Sequence, residues 1–293
     1  MNRVKRGAFL TMNSLEGFFC SDHLTYEPLA KLGWKIDEVS WMRPDVHWDD
    51  FDLVVIRSPW DYSSHPRAFM RVLEQIDRSQ SRLANPIDIV RWNLDKSYLR
   101  QLEAQDILIV PTLWLTSLDE NTLEGAFEHF ATTEIVVKPT IGANAGDTFR
   151  LERNAAASTT LPALDTFRSR PVMVQPFIKA IVEQGEYSLF YFDGEYSHCI
   201  LKLPKAGDFR VQEEHGGLIH NCPAPPLLIE AGQRVLNAID KQLLYARVDF
   251  VLLTPDVPAV IEVELIEPSL YFAYDEQSPN RFAHALDRMY RDH

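Results

Sequence analysis

Two short stretches late in the chain place charged side chains at alternate positions. Arg247 and Asp249 lie on one predicted strand, Glu262 and Glu264 lie on the next, and Pro255-Asp256 predicts the turn between them. Because side chains alternate across a strand, each pair shares a face. If the strands pair about that turn, three carboxylates and one arginine converge. Like charges crowded on one sheet face repel unless a cation sits among them. Magnesium takes carboxylate oxygens together with substrate phosphates, so the pattern indicates a magnesium site; a solvated polar sheet face is the alternative.

A lysine and a loop of small residues follow an apolar stretch in the middle of the chain. The apolar Ile135-Val136-Val137 leads into Lys138-Pro139, and Gly142-Ala143-Asn144-Ala145-Gly146-Asp147 follows. The lysine supplies positive charge, while glycine and alanine let backbone N–H groups approach phosphate oxygens closely. The segment therefore predicts a phosphate-binding loop. A hairpin turn with an exposed lysine fits the same residues.

A third segment is an apolar strand that contains a proline, Val172-Met173-Val174-Gln175-Pro176-Phe177-Ile178. Proline cannot donate to a sheet ladder, so this pattern argues for an edge strand or a chain crossing. The backbone groups of Gln175, Phe177 and Ile178 could hydrogen-bond the edge of a purine. An ordinary edge strand accounts for the pattern as well.

Basic residues cluster at one further place, where Lys202, Lys205 and Arg210 surround Gly207-Asp208. The chain as a whole carries a formal charge of −13, so the cluster is a local exception. Anionic phosphates would explain it. A solvated basic hairpin end would explain it almost as well.

A candidate substrate site precedes all of these, in Arg57-Ser58-Pro59-Trp60-Asp61-Tyr62. This run follows a predicted strand at residues 53–56, and ligands of open α/β sheets bind at the carboxyl ends of the strands. Arg57 could pair with a substrate carboxylate, and Trp60 and Tyr62 could wall the site. A structural Arg–Asp pair with aromatic packing is the alternative.

The first third of the chain alternates strand and helix patterns, which is typical of a parallel α/β sheet. Residues 85–93 are interpreted as a connection, and a helix is expected from near Asp95 to Leu102. The predicted strands are 8–12, 34–41 and 51–56, and the predicted helices are 24–32, ending at Gly33, and 66–76.

The remaining two thirds predict a mixed α+β organisation. Residues 107–167 read as strand, helix, strand, glycine loop, strand and helix, and the chain becomes β-rich from Pro171. Asp193-Gly194 is a strong hairpin signal. The later elements are predicted as strands 187–192 and 195–203, a long helix 227–243, strands 246–253 and 259–266, and a helix 279–290.

Composition excludes several classes of function. With 42 Asp and Glu against 29 Lys and Arg, an acidic surface disfavours non-specific nucleic-acid binding and polybasic membrane docking. No apolar run reaches the roughly 18–20 residues that a membrane span needs, and the basic start precedes too short an apolar run for a signal peptide. Cys20, Cys199 and Cys222 are far apart, which favours free thiols in a reducing cytoplasm. The length allows two to three interlocked domains.

Common enzyme motifs are missing from the sequence. It has no GxxxxGK followed by Ser or Thr, no GxGxxG, no HExxH and no GxSxG, so P-loop, dinucleotide-binding, zinc-protease and α/β-hydrolase assignments lose their usual support. The nine histidines show no metal-ligand spacing.

The glycine loop, the proline-containing strand, the basic cluster and the charged strands, in this order along the chain, resemble the ATP-grasp superfamily. The resemblance points in particular to the glutathione synthetase and D-alanine–D-alanine ligase branch, and covers residues 93–272. It implies an α/β (α+β) ATP-grasp fold with nucleotide held between two α+β lobes. An N-terminal parallel α/β domain, the pre-ATP-grasp domain, is expected at residues 1–92, a central lobe at 93–178 and a C-terminal lobe at 179–293.

The resemblance also implies roles for single residues in nucleotide binding. Lys96, in Asn93-Leu94-Asp95-Lys96, and Lys138 would hold the α- and β-phosphates, and the loop from Gly142 to Gly146 would cover them. The hinge from Gln175 to Ile178 would bind adenine. Glu186, after Gly185, would hold the ribose, with Glu183 as the second candidate.

The closing signature of the family is Arg-x-Asp on one strand and Glu-x-Asn on the next. Arg247, Asp249 and Glu262 match it, whereas Glu264 replaces the asparagine and adds a negative charge. These three carboxylates would hold Mg²⁺, with Mn²⁺ as an alternative. Glu267-Pro268-Ser269 resembles the loop on the substrate side, which adds Glu267 and Ser269 to the substrate site.

The implied activity is ATP-dependent ligation of a small-molecule carboxylate to an amine through an acyl phosphate. Arg210, Arg247 and Lys202 are the predicted catalytic residues, because their charges would stabilise the transferring phosphoryl group and the tetrahedral intermediate. A cytoplasmic enzyme is expected, with no nucleic-acid or membrane partner and a homodimer as one option. Two alternatives stay open: an intramolecular cyclo-ligase resembling the cycloserine-forming ATP-grasp enzyme, and a nucleotide-binding regulatory protein without ligase activity.

Overall fold

The computed structural model describes residues 3–142 and 146–291, and its first part is a parallel sheet with order β2-β1-β3-β4. The predicted alternation of strands and helices is confirmed. Residues 85–93 were expected to connect elements, but most of them form α3, a helix of seven residues that is too short to show a periodic pattern. The elements are β1 (Lys5–Thr11), α1 (Tyr26–Lys31), β2 (Trp34–Ser40), β3 (Leu53–Ser58), α2 (Pro66–Asp77), β4 (Arg82–Ala84) and α3 (Ile87–Asn93).

The second part is a four-stranded antiparallel sheet with order β5-β8-β6-β7, covered by two helices around their own buried core. Its elements, after the short helix α4 that leads into it, follow in chain order. They are α4 (Tyr98–Glu103), β5 (Leu113–Leu115), α5 (Glu120–His129), β6 (Glu134–Pro139), β7 (Phe149–Glu152), α6 (Ala157–Phe167) and β8 (Val172–Pro176).

The proline-containing strand β8 is not the edge strand that the sequence predicted, because it lies between β5 and β6. The Phe177 N–H donates to the Glu134 carbonyl on the β6 side, so the backbone of Pro176 faces the opposite side. There β5 pairs only as far as Val174. The missing N–H therefore removes no ladder hydrogen bond, which is why a proline is tolerated here.

The third part is a five-stranded sheet with order β11-β10-β9-β12-β13. The Asp193-Gly194 hairpin is confirmed, with φ of 50° and 77° at the two turn residues. The long helix α8 ends four residues before the predicted boundary, where Asp240 adopts a left-handed conformation. The elements are α7 (Lys179–Glu183), β9 (Glu186–Phe192), β10 (Glu195–Leu203), β11 (Leu218–Asn221), α8 (Pro226–Ile239), β12 (Tyr245–Thr254), β13 (Val257–Glu264) and α9 (Ser278–Arg291).

The N-terminal sheet and the third part share one hydrophobic core. Phe9 and Val55 of the parallel sheet belong to the same buried cluster as Phe190, Tyr245 and Phe282. This arrangement presents the carboxyl ends of β1 and β3 toward β13 and the loop after it. Across the described ranges, no helix combines the length and the apolar character that a membrane crossing requires.

Candidate active site

One cavity lies where β6 and β8 of the second part face β12 and β13 of the third, with the loop after β3 beside it. It gathers predicted site residues from all three parts of the fold. Those lining it are Trp60, Tyr62, Lys96, Lys138, Gly142, Gly146, Gln175, Phe177, Ile178, Glu186, Lys202, Arg210, Arg247, Asp249, Glu262, Glu264, Glu267 and Ser269. The predicted loop residues Ala143, Asn144 and Ala145 lie outside the described residues.

The charged residues of β12 and β13 converge as the sequence predicted. In the antiparallel register Arg247 pairs with Glu264, and Asp249 pairs with Glu262. The Arg247 guanidinium donates to both oxygens of Asp249, with the shorter contact at 2.9 Å, and also pairs with Glu264. The two strands therefore bring three carboxylates and one arginine onto one face of the sheet.

A second buried pair lies beside the first. Lys202 of β10 donates to Glu186 at 2.9 Å and lies 3.5 Å from Asp249. Burial and Arg247 lower the pKa of Lys202, but Asp249 and Glu186 outweigh them and raise it, so the ammonium stays charged. Gly185 before Glu186 has φ of +91°, and a Cβ there would lie 2.7 Å from the Lys202 carbonyl oxygen. Only glycine allows this approach of the two strands.

The two predicted phosphate lysines differ in their partners. Lys96 donates to the Gly142 carbonyl at 2.7 Å and pairs with Glu262 at 3.0 Å. Lys138 makes no hydrogen bond or ion pair within residues 3–142 and 146–291, although it lines the cavity. Burial is the main cause that lowers the pKa of Lys138. The cavity thus holds an ammonium that lacks an anion.

The crowded carboxylates are neutralised chiefly by the protein itself, by Lys96, Lys202 and Arg247. Burial and Glu262 nevertheless outweigh Arg247 and raise the pKa of Glu264 to about 7. Across the described ranges, no group of three His, Cys, Asp or Glu side chains is arranged as a ready metal cage. Magnesium commonly takes one or two carboxylates and completes its shell with phosphate and water, so the carboxylate oxygens of this cavity fit a magnesium–nucleotide complex.

Arg57 is not at the cavity, which corrects its predicted role toward a substrate carboxylate. Its side chain is 1% exposed, and it donates to Asp22 at 2.9 Å and to the Pro268 carbonyl at 3.2 Å. Its partner is not the nearby Asp61, which accepts from Trp41. Arg57 therefore forms a structural Arg–Asp pair, which was the alternative to substrate binding. Its acidic partner Asp22 comes from a distant loop that no local sequence pattern reveals.

Glu183 also lies away from the cavity. It is the last residue of α7 and is exposed, whereas Glu186 is buried and lines the cavity. The difference arises because α7 ends at Glu183 and the chain then enters β9, whose first residue is Glu186. The geometry thus favours Glu186 of the two ribose candidates.

Two residues that support the site carry no chemical signal in the sequence. The Tyr98 hydroxyl accepts from the Val263 N–H at 2.7 Å and donates to the Val263 carbonyl at 2.9 Å. The Asn93 amide donates to the Val263 carbonyl and accepts from the Leu265 N–H. Both hold the strand that carries Glu262 and Glu264. The one available hint was their position near Lys96, since Tyr98 lies two residues after it and Asn93 three residues before it.

Two family models match the chain. Residues 8–85 match the N-terminal domain of D-cycloserine synthetase DcsG. Residues 105–251, half of the chain, match the ATP-grasp domain of prokaryotic glutathione synthetase. The chain therefore belongs to the ATP-grasp family and is an ATP-dependent ligase. Members of this family use ATP, typically with magnesium.

One relative, a cycloserine biosynthesis protein, is similar to the chain over nearly its whole length. It is 32% identical over 273 residues to the cycloserine biosynthesis protein DcsG of Streptomyces lavendulae, which covers 89% of this chain and 90% of the relative. The crystal structure of D-cycloserine synthetase DcsG superposes with a TM-score of 0.83 at 30% identity, covering 97% of this chain and 99% of that chain.

More distant relatives share parts of the sequence or the fold alone. Glutathione synthetase of Prochlorococcus marinus (strain MIT 9313) is 32% identical over 182 residues, which are 60% of this chain and 51% of that protein. D-alanine–D-alanine ligase of Bacillus anthracis has a TM-score of 0.66 at 17% identity, covering 98% of this chain and 99% of that chain.

Proposed function

We propose that the enzyme activates the carboxylate of a small amino-acid-like substrate as an acyl phosphate and transfers the acyl group to an amine. The observation that carries the proposal is the unpaired Lys138 ammonium, which faces the same cavity as the carboxylates of β12 and β13. A polyanion bridged to those carboxylates by a metal would satisfy both at once. ATP with magnesium is such a polyanion.

In this proposal the nucleotide lies between the second and third parts of the fold. Lys96 and Lys138 hold the α- and β-phosphates, and Lys96 exchanges its present partner Glu262 for phosphate oxygens. Glu186 holds the ribose. The backbone from Gln175 to Ile178 recognises adenine, and since the Gln175 amide already donates to Thr112 at 2.8 Å, the main chain is the recognising group.

The metal would be held by the carboxylates of Asp249, Glu262 and Glu264. All three are oxygen donors, which suits Mg²⁺, and Mn²⁺ accepts the same donors. When bound, the metal neutralises phosphate charge. Release of Glu262 from Lys96 and of Asp249 from its cationic neighbours would free the oxygens for this role.

Three cations remain to stabilise charge during transfer. Arg247 and Lys202 are buried beside the carboxylates, so their positions are fixed before the reaction and little reorganisation is needed. Arg210 is partly exposed and forms a two-point ion pair with Asp208. If Arg210 exchanged Asp208 for a phosphoryl oxygen, it would bring a third positive charge to the site. Trp60, Tyr62, Glu267 and Ser269 form the wall on the side of the N-terminal sheet, where the substrate carboxylate and amine would bind.

Intramolecular ligation is the second candidate and is favoured by one observation, the near full-length similarity to a D-cycloserine synthetase. The chemistry at the carboxylate is the same, but the nucleophile belongs to the activated molecule itself. The two reactions differ in product. A cyclo-ligase forms a ring from one organic substrate without an added amine.

The test is an ADP-release screen with amino acids and dipeptides, with hydroxylamine added to trap acyl phosphates. We expect carboxylate-dependent and Mg²⁺-dependent ADP release together with an acyl hydroxamate. Mass analysis of the product without hydroxylamine separates cyclisation from two-substrate ligation. A stable phosphorylated alcohol, or ATP hydrolysis indifferent to every acid, would contradict the proposal.

A further inference from the structure

Glu267 is a half-buried carboxylate in the cavity that forms no ion pair with the described residues. Four other acidic residues of the cavity pair with lysine or arginine: Glu186, Asp249, Glu262 and Glu264. No such ion pair reaches Glu267 in the described parts of the chain. Burial and Glu264 raise the pKa of Glu267 to about 8 and outweigh Tyr62 and Lys96, which lower it.

The other two acidic residues at the cavity are placed differently. Glu213 accepts a hydrogen bond from the Tyr274 hydroxyl at 3.2 Å, and Glu214 is exposed to solvent. Both come from the segment between β10 and β11. Glu267 comes instead from the loop after β13, which the N-terminal part of the chain contacts.

The N-terminal part of the chain holds Glu267 in place. The Trp60 indole N–H donates to the Glu267 carbonyl at 2.9 Å. The Tyr62 hydroxyl lies near enough to the Glu267 carboxylate to lower its pKa. Arg57 fixes the following residue through the Pro268 carbonyl. Such fixation of a carboxylate that forms no ion pair with the protein's own cations points to a ligand.

Aromatic rings line the same place. Trp60 lines the cavity with Phe19, and Phe18 packs on Trp60 with ring centroids 5.5 Å apart. The faces of such rings attract cations. A carboxylate and aromatic faces together suit an ammonium group better than an anion or a neutral polar group.

We propose that Glu267, with Tyr62 and Trp60, binds the ammonium group of the amino acid whose carboxylate is activated. The inference rests on the proposed function and names its substrate class. The ammonium of an α-amino acid lies one carbon from the carboxylate, so it must bind close to the phosphoryl-transfer charges. Glu267 lies there, since Glu264, Glu262 and Lys96 all act on its charge.

The need for such a residue follows from the other charges. Lys96, Lys138 and Arg247 line the cavity, and these cations repel an incoming ammonium. A dedicated carboxylate offsets that repulsion. An acid without the ammonium would leave Glu267 unpaired in the occupied cavity, so the site would discriminate against it.

The experiment compares acids that differ only in the ammonium. ADP release and hydroxamate formation are measured at saturating Mg-ATP for D-alanine against propanoate, D-serine against 3-hydroxypropanoate, and further pairs of both chiralities. For the wild type we expect kcat/KM at least about tenfold higher for the amino acids. Glu267→Gln should lower that value about 10- to 100-fold, mainly through KM, and remove the preference, because the neutral amide binds an ammonium only weakly.

Controls separate the outcomes. Glu214→Gln, which removes a charge from the exposed side of the cavity, should keep the preference, and Glu267→Asp should restore part of it. Mg-ATP should raise the melting temperature of every variant as in the wild type, which shows that each is folded. A preference that survives in Glu267→Gln, or a wild type indifferent to the ammonium, overturns this inference and leaves the ligase proposal standing. Absence of ADP release with every acid would instead refute the ligase proposal.

Discussion

Lys138 is the residue whose surroundings are least complete without a ligand. Its side chain is half-buried, burial lowers the pKa of its ammonium, and it has no hydrogen-bond or ion-pair partner in residues 3–142 and 146–291. A charge held in this way costs folding free energy and is retained for another purpose.

Lys138→Met should therefore leave the melting temperature of the nucleotide-free enzyme unchanged or raised. It should weaken ATP binding about 10- to 100-fold, because a charged hydrogen bond to phosphate is lost. Melting curves with and without Mg-ATP measure both effects. Lys179→Met, at an exposed position outside the cavity, is the control. Full ATP-dependent stabilisation of Lys138→Met would contradict the assignment.

Two further residues, Glu264 and Glu267, give stability a pH dependence. Their pKa values are raised to about 7 and about 8, against about 4.3 in an unfolded chain. The folded protein therefore binds more protons than the unfolded chain between these limits. Stability from these groups is present below about pH 4.3 and is lost as the pH rises through 7 and 8.

We expect Glu264 and Glu267 to contribute a decrease in the melting temperature of the nucleotide-free enzyme as the pH rises from 5.5 to 8.5. Glu267→Gln should reduce that fall, whereas Glu214→Gln should keep it. The groups that act on Glu267 are Glu264, Tyr62, Lys96 and Glu262. Melting curves across this range check the expectation, and an identical pH dependence in Glu267→Gln would show it to be wrong.

At this scale the sequence predicted which residues meet, but not how they pair. Strand alternation and the turn at Pro255-Asp256 predicted that the charged residues of the two strands converge. The register, with Arg247 opposite Glu264 and Asp249 opposite Glu262, comes from the structure. That Lys96 rather than a metal neutralises Glu262 in the present structure depends on a contact across 166 positions, which no local pattern contains. Arg57 illustrates the same limit, since its partner Asp22 comes from another loop.

The edge strand β13 is the element on which the site depends. One edge of β13 pairs with β12. The backbone groups on its other edge form hydrogen bonds with earlier segments of the chain. Val260 pairs with the backbone near Ile109, Val263 with the Tyr98 hydroxyl, and Leu265 with Asn93. An edge strand would otherwise expose unpaired backbone groups. Here each of these contacts also fixes the positions of Glu262 and Glu264.

Tyr98→Phe should destabilise the protein by about 1–3 kcal/mol, because it leaves the buried Val263 N–H without a partner. It should also lower kcat several-fold with little change in ATP binding, since the carboxylates on either side of Val263 would shift. Denaturant unfolding and ADP release measure the two effects. Tyr187→Phe is the control, as that hydroxyl makes no hydrogen bond to the described residues. Equal effects of both variants would rule out a special role for Tyr98.

Element prediction succeeded where the pattern was local. The Asp193-Gly194 hairpin and the strands around it need only turn chemistry and alternation. The helix α3 and the central position of β8 were mispredicted because each is decided by neighbours: α3 by packing of Ile87 and Val90 into the N-terminal core, and β8 by where β5 ends.

At the scale of the whole molecule, the N-terminal sheet and the third part are not separate hydrophobic bodies. The N-terminal sheet and the third part are joined by a common core, by the Asn85 side chain bonding to Tyr245 and Leu265, and by the Tyr245 hydroxyl bonding to Ile56. The second part has its own core around Phe127 and Phe167. The predicted divisions at residues 92 and 178 stay predictions, and the shared core argues that residues 1–92 depend on the rest for stability.

A pair of core variants tests this organisation. Phe282→Ala should cost about 3–5 kcal/mol and lower the hydrogen-exchange protection of β1 and β9 together, since Phe282 contacts Phe9 and Phe192. Phe167→Ala should lower protection in β6 and β8 and spare β1. Exchange measured by mass spectrometry distinguishes the two. Loss of protection in β1 without loss in β9 would indicate separate folding units.

The hydrogen bonds from the N-terminal part to the loop after β13 have a consequence for chimeras of family members. Trp60 and Arg57 hold Glu267 and Pro268 through backbone carbonyls, so the substrate wall is built from two ends of the chain that lie about 200 positions apart. A chimera that exchanges only residues 1–92 would join a foreign Trp60 loop to the resident Glu267 loop. Specificity should therefore travel between family members only when both segments are exchanged together. A chimera joined at that boundary should more readily be a folded enzyme that turns over no substrate than an enzyme that accepts a new substrate.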